Sequence, residues 1–191
     1  MQINTSGSRR IARIGLIAAL YATLTITTLT VLQGLAFGPV QIRLSEAVCV
    51  LALFAPEAVW GLTLGCAVAN LAGMVLTGTG PLALLDVVFG SLATLLGSAW
   101  MWRWRKHRPV ALLGPVLSNA LIVAAYLPLV LSALGFYTIP FTGIDISESF
   151  AAMYLFGFVT IASGEALVVY TLGLPMARLI EKSGLSRQFF D

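Results

Sequence analysis

The chain has 191 residues, 59% of them hydrophobic and 10% charged, with a mean hydropathy of +0.95 and a formal net charge of +3. A soluble domain carries about 25% charged residues to cover its surface, so this composition excludes a water-soluble protein and implies one membrane domain over 1–191. The positive excess is not a nucleic-acid signal, because the basic residues cluster at the ends of apolar segments.

The start, MQINTSGSRRIARIGLIAALYATLTITTLTVL, has the basic flank and apolar run of a signal peptide. The run is long enough to span a bilayer and no small-residue cleavage site follows it, so it reads as a retained first helix, 9–32. Three further long apolar segments follow at 56–76, 81–104 and 109–134, and a last one at 148–180. Basic residues concentrate in three places: Arg9, Arg10 and Arg13; Arg103, Arg105, Lys106 and Arg108; Arg178, Lys182 and Arg187. Positive loops stay in the cytoplasm, so an even number of crossings must separate each pair of clusters. The first two clusters are separated by three obvious runs. Parity requires a fourth, and the stretch 40–54 is the candidate. Fifteen residues of α-helix cover about 22 Å, short for a hydrocarbon core of about 30 Å, so its outer end needs shelter from protein. The expectation is an all-α, polytopic bundle of six transmembrane helices with both termini cytoplasmic. Pro56 suits the first turn of helix three. Trp100, Trp102 and Trp104 form an aromatic belt beside the basic loop, and Trp60 is expected at the same face.

Small residues spaced four apart let a second backbone come close. Helix three carries Gly61, Gly65, Ala69 and Gly73, which reads as internal packing. Helix four carries a weaker stripe at Gly90, Ala93 and Gly97. Helix one carries Gly15 and Ala19 and, one residue offset, Ala18 and Ala22, where an external partner is an alternative to internal packing.

Polar residues at membrane depth mark functional sites by default. Helical rise puts Gln41, Arg43, Glu46, Asn70, Asp86, Asn119, Tyr126 and Glu165 in the outer half of the bundle or near its midplane, where an outward-opening pocket would gather them. Arg43 and Glu46, three apart, either pair with each other or meet a ligand. Asp86 either caps its helix or pairs with Arg43, and Asn70 and Asn119 suit interhelical hydrogen bonds. Glu165 has no basic residue near it in its own helix, so it needs a donor from elsewhere, a ligand or a proton. Asp145 and Glu148, flanking Ser147, would cap helix six. Cys49 and Cys66 read as small buried hydrophobes, and His107 as solvated. No metal cluster, nucleophile elbow or phosphate-binding glycine loop occurs, which argues against an enzyme, a cofactor or an ATPase site on this chain.

Three blocks in order, FGPVQIRLSEAV, PEAVWGLTLGCAVANL and LLDVVFGSLATLLG, resemble the QueT family, substrate-binding membrane proteins (S-components) of energy-coupling factor transporters. The resemblance runs from about residue 11 to 180. It implies six helices, uptake of queuosine precursors (7-deazaguanine bases such as queuine), and three partners: an EcfT-like coupling membrane protein and two ABC-type ATPases. It also implies docking through a small pair in helix one, which Ala18 and Ala22 match. A carboxylate, Glu165 or Glu46, would accept from the donor edge of such a base. Asn70 and Asn119 would serve as amides, Tyr126 or Tyr154 would stack, and Asp86 would pair with a cationic side arm. The alternatives are an S-component for another vitamin-like molecule, or an ion-coupled secondary transporter with Glu165 as its proton carrier.

Overall fold

The computed structural model describes residues 5–31, 42–78, 80–133, 135, 138–139, 143–146 and 149–185. Five helices are long and apolar enough to cross a membrane: α1 (Thr5–Val31), α2 (Pro56–Thr77), α3 (Gly80–Arg103), α4 (Arg108–Ala133) and α5 (Phe150–Lys182). A shorter apolar helix, Leu44–Leu53, lies between α1 and α2. Among the described residues the only β pairing is a single bridge between Thr138 and Asp145.

The short helix differs from the α-helix expected over 40–54. It is ten residues of 3-10 helix, beginning at Leu44. A 3-10 helix rises about 2.0 Å per residue, so ten residues cover about 20 Å, which an α-helix would need about thirteen to reach. The tighter winding extends a short segment.

Helix directions follow from the close contacts. Gly61 faces Ile14 and Ile17, and Gly65 faces Ala18 and Tyr21. The numbers rise together, so α1 and α2 run parallel, and an ion pair of 3.6 Å between Arg10 and Glu57 joins their first turns. The chain therefore leaves α1 at one end of the bundle and starts α2 at the other. The stretch between them must return along the bundle. The short helix lies on that return, packed against all five long helices.

The remaining helices alternate. Gly78 and Gly80, at φ 64° and 71°, take the left-handed conformations of the tight link from α2 to α3. Gly97 of α3 meets Pro115 and Ser118 of α4, while Gly114 of α4 meets Gly97 and Trp100 of α3. On the other side of α4, Gly157 of α5 faces Ala124 and Leu127, the Tyr170 hydroxyl donates to the Pro109 carbonyl at 3.0 Å, and Arg108 pairs with Glu181. These contacts bring Arg9, Arg10 and Arg13, the 103–108 connection, and Arg178 and Lys182 to one end of the bundle. There the Arg105 guanidinium lies 3.8 Å from the Trp102 ring centroid, Trp60, Trp100 and Trp104 are exposed, and His107 is exposed.

Asp145 and Glu148 were expected to cap the start of the last helix. Ser149 does so instead, its hydroxyl accepting from the Ala152 amide at 3.2 Å. Asp145 is in the bridge with Thr138, and Ser147 and Glu148 lie outside the described residues.

The glycines of α2 set how closely α1 can approach. A Cβ on Gly65 would stand 2.7 Å from the Ala18 carbonyl oxygen, a backbone atom that cannot swing away. Gly65→Val is expected to destabilise the bundle by about 1–3 kcal/mol through overpacking, read as a lower midpoint in thermal unfolding of the detergent-solubilised protein. Gly15→Ala, where a Cβ would meet nothing within 4 Å, is expected to leave the midpoint unchanged or slightly raised.

Candidate functional site

In a 3-10 helix residues three apart eclipse one another, so Glu46 and Cys49 align along the short helix, which Arg43, in extended conformation, immediately precedes. All three are buried, at 1%, 1% and 4% exposure. The Tyr21 hydroxyl of α1 donates to Glu46 Oε1, and the Cys49 thiol donates to Oε2 at 3.0 Å. One residue earlier, the Thr25 hydroxyl is bonded to that of Ser45 at 2.7 Å. Two hydroxyls of α1 thus hold the first turn of the short helix. The ion pairs among the described residues are Arg10–Glu57 and Arg108–Glu181. Glu46 thus has a donor on each carboxylate oxygen, Tyr21 on one and Cys49 on the other.

Glu165 of α5, 4% exposed, accepts at Oε1 from the Asn119 amide of α4 at 2.9 Å. Its donor comes from the facing helix. Glu165 Oε2 is buried with no hydrogen-bond partner.

A third group gathers where α3 begins. Asp86 opens a π-helical turn, Asp86–Gly90; such turns recur at functional sites. Asp86 Oδ1 accepts from the Tyr126 hydroxyl at 2.6 Å, and the Asn70 amide nitrogen donates to the Asp86 carbonyl at 2.6 Å. The carbonyl partner fixes the amide's orientation, which leaves Asn70 Oδ1 buried without a partner. A Cβ on Gly90 would come within 3.0 Å of Asn70 Nδ2, so the missing side chain leaves room for that amide. Asp86 stands inside the helix that begins at Gly80, with Tyr126 on its carboxylate. The Tyr126 ring lies 5.9 Å from Phe89, and Tyr154 stacks on Phe158 at 6.4 Å.

These groups share a layer. On α4, Asn119 separates Leu112 of one apolar cluster from Val123 and Leu127 of a second; on α5, Glu165 separates Ile161 from Val169 in the same way. The Arg43 guanidinium is within electrostatic reach of Glu46, Asp86 and Glu165. One cation faces three carboxylates in a nearly dry layer, and two of the atoms without partners, Glu165 Oε2 and Asn70 Oδ1, are acceptors. The arrangement can receive a ligand rich in N–H donors. Arg43, Glu46, Asn70, Asp86, Asn119, Tyr126 and Glu165 are brought to the layer; Gln41 lies outside the described residues. No group of three or more metal-ligating side chains occurs among the described residues.

The sequence pattern of the QueT transporter family matches residues 11–182. The chain belongs to that family. Over 86 residues it is 33% identical to a Lactococcus lactis subsp. cremoris (strain MG1363) protein named "Queuosine precursor transporter QueT". That match covers 45% of this chain and 45% of the relative, so the aligned stretch spans about half the length of the curated relative. No solved structure matches. Family membership and the apolar helices suit a multi-pass membrane protein.

Tyr21 and Thr25 were missed in the sequence. The signal was present: Tyr21, Thr25 and Thr28 recur at helical spacing on one face of α1, and all are buried. Ala18 and Ala22, the pair that the resemblance implies for docking, lie on this same face, each 7% exposed, with the Ala18 backbone against Gly65 of α2. One position away, Gly15, Ala19 and Thr23 are small residues of α1 that face outward.

Tyr126→Phe removes a hydrogen bond to a carboxylate, an interaction of about 1.5–3 kcal/mol. In a double-mutant cycle on unfolding, Tyr126→Phe and Asp86→Asn are expected to couple by at least about 0.5 kcal/mol. Strictly additive losses would show that the bond carries no stability.

Proposed function

We propose that this chain is the substrate-binding membrane subunit of an importer for queuosine precursors, and that it binds the donor edge of a 7-deazaguanine base in the layer around Glu165. The observation that carries this reading is the pair of buried acceptors without partners, Glu165 Oε2 and Asn70 Oδ1. A guanine-like edge presents a ring N–H and an exocyclic amine, the donors those atoms lack. Family membership supports the substrate class. Arg43, Asp86 and Asn119 complete the polar wall, whereas Glu46, already holding Tyr21 and Cys49, supports the wall from behind.

The protein sits in the cell membrane with its basic end in the cytoplasm, following the bias of positive loops. With the short helix counted as a crossing there are six. Energy comes from an EcfT-like coupling protein and two ABC-type ATPases. The coupling protein docks on α1 through Gly15, Ala19 and Thr23, whose small side chains admit a second helix at close range.

Isothermal titration of the purified protein with a 7-deazaguanine base tests the ligand. Glu165→Gln replaces an acceptor oxygen with a donor. Leaving a buried group unsatisfied costs about 1–3 kcal/mol, so affinity is expected to fall by about ten- to a hundredfold. Absence of binding by the wild-type protein overturns the assignment. For the docking face, Ala19→Leu is expected to abolish co-purification with the coupling protein while leaving ligand affinity unchanged; full assembly by that variant would remove this face as the contact.

A further inference from the structure

We propose that Glu165 is a proton site which the ligand empties, so that each ligand bound releases one proton. This rests on the reading of the polar layer as the site for a donor-rich base.

The argument compares three carboxylates in one layer. Glu46 has a donor on each oxygen, the Tyr21 hydroxyl and the Cys49 thiol. Asp86 has the Tyr126 hydroxyl and is only partly buried. Glu165 is 4% exposed, has a single amide donor from Asn119, and keeps Oε2 without a partner. A charged oxygen deprived of both water and a hydrogen-bond donor is the most costly state a carboxylate can take, and such groups neutralise instead.

Groups of both signs act on Glu165 from its neighbours. From the short helix and the residues leading into it, Glu46 repels a second negative charge, Arg43 attracts one, and the Cys49 thiol lies within reach. From α4, Asn119 donates once. The attraction of Arg43 is divided with Glu46 and Asp86. In the empty protein the proton therefore resides on Glu165 Oε2. A base that offers a ring N–H and an amine needs an ionised carboxylate as acceptor. On binding, the proton leaves Oε2 for solvent and N–H···O bonds form in its place. No other bond is made or broken.

Two measurements test this. The first is isothermal titration of the wild-type protein with a 7-deazaguanine base in buffers of different ionisation enthalpy. It is expected to give one proton released per ligand, with affinity rising about tenfold per pH unit wherever empty Glu165 is protonated. Glu165→Gln, which resembles the protonated acid, is expected to abolish the release and flatten the profile. Binding without proton release, or release that persists in Glu165→Gln, overturns the inference while leaving the ligand assignment standing. The second needs no ligand. The infrared spectrum of the empty wild-type protein at neutral pH is expected to contain the carbonyl stretch of a protonated carboxyl group that is missing from Glu165→Gln. Its absence overturns the inference, and its presence with no base binding at any pH overturns the ligand assignment alone.

Discussion

The structure is organised by the need to keep Arg43 and Glu46 out of lipid. An ionised side chain in hydrocarbon is unfavourable by several kcal/mol, and Glu46 lies on a helix of only ten residues that Arg43 immediately precedes. The fold meets the requirement by surrounding that helix. It touches all five long helices, and Val48, Cys49, Val50 and Ala52 behind the charged turn are at most 2% exposed. What remains outside is aliphatic: Leu16, Val68, Leu96, Leu121, Leu155 and Val159 face outward, as a lipid-embedded surface requires.

Encirclement imposes its own demands on packing. Five helices can close around a sixth segment only if some of them approach to near backbone contact, and the glycines are where they do. Gly61 and Gly65 admit α1, Gly97 and Gly114 admit each other's helices, and Gly173 admits Val50 and Ala47 of the short helix. Tyr21 and Thr25 then supply hydroxyls at the depth of Glu46 and Ser45. The tight α1–α2 contact and the polar contact of α1 with the short helix are two sides of one inward face.

Much of this was legible in the residues. Charge clustering demanded an even number of passages between Arg13 and Arg103. The parallel run of α1 and α2, joined at Arg10 and Glu57, is the arrangement that bears on it. Glu165 announced itself as a carboxylate with no cation in its own helix. Contacts between helices were not legible. Helical rise places Asn119 and Glu165 at similar depths but says nothing of their bond, because rotation about the axis is set by neighbours. The same rotation separates Ala18 from Ala19. One residue is about 100° of turn, enough to move a methyl from the α2 contact to the outer surface, and two overlapping small-residue stripes gave no means of choosing. The 3-10 winding was also hidden, since LSEAVCVLAL suits an α-helix and only the distance to be covered selects the longer rise.

The parallel orientation of α1 and α2 bears on how the protein is made. Two successive long apolar helices that enter a bilayer with the same direction cannot both be laid down by simple alternation. The segment between them has to be drawn in as well, yet a ten-residue stretch led by an arginine and a glutamate has little tendency to partition by itself, because each charge opposes insertion by about 2.5–3.5 kcal/mol. It can settle only when α2 to α5 are present to receive it. The polar layer therefore depends on the enclosure of this segment by all five long helices, and is complete only when each of them is in place.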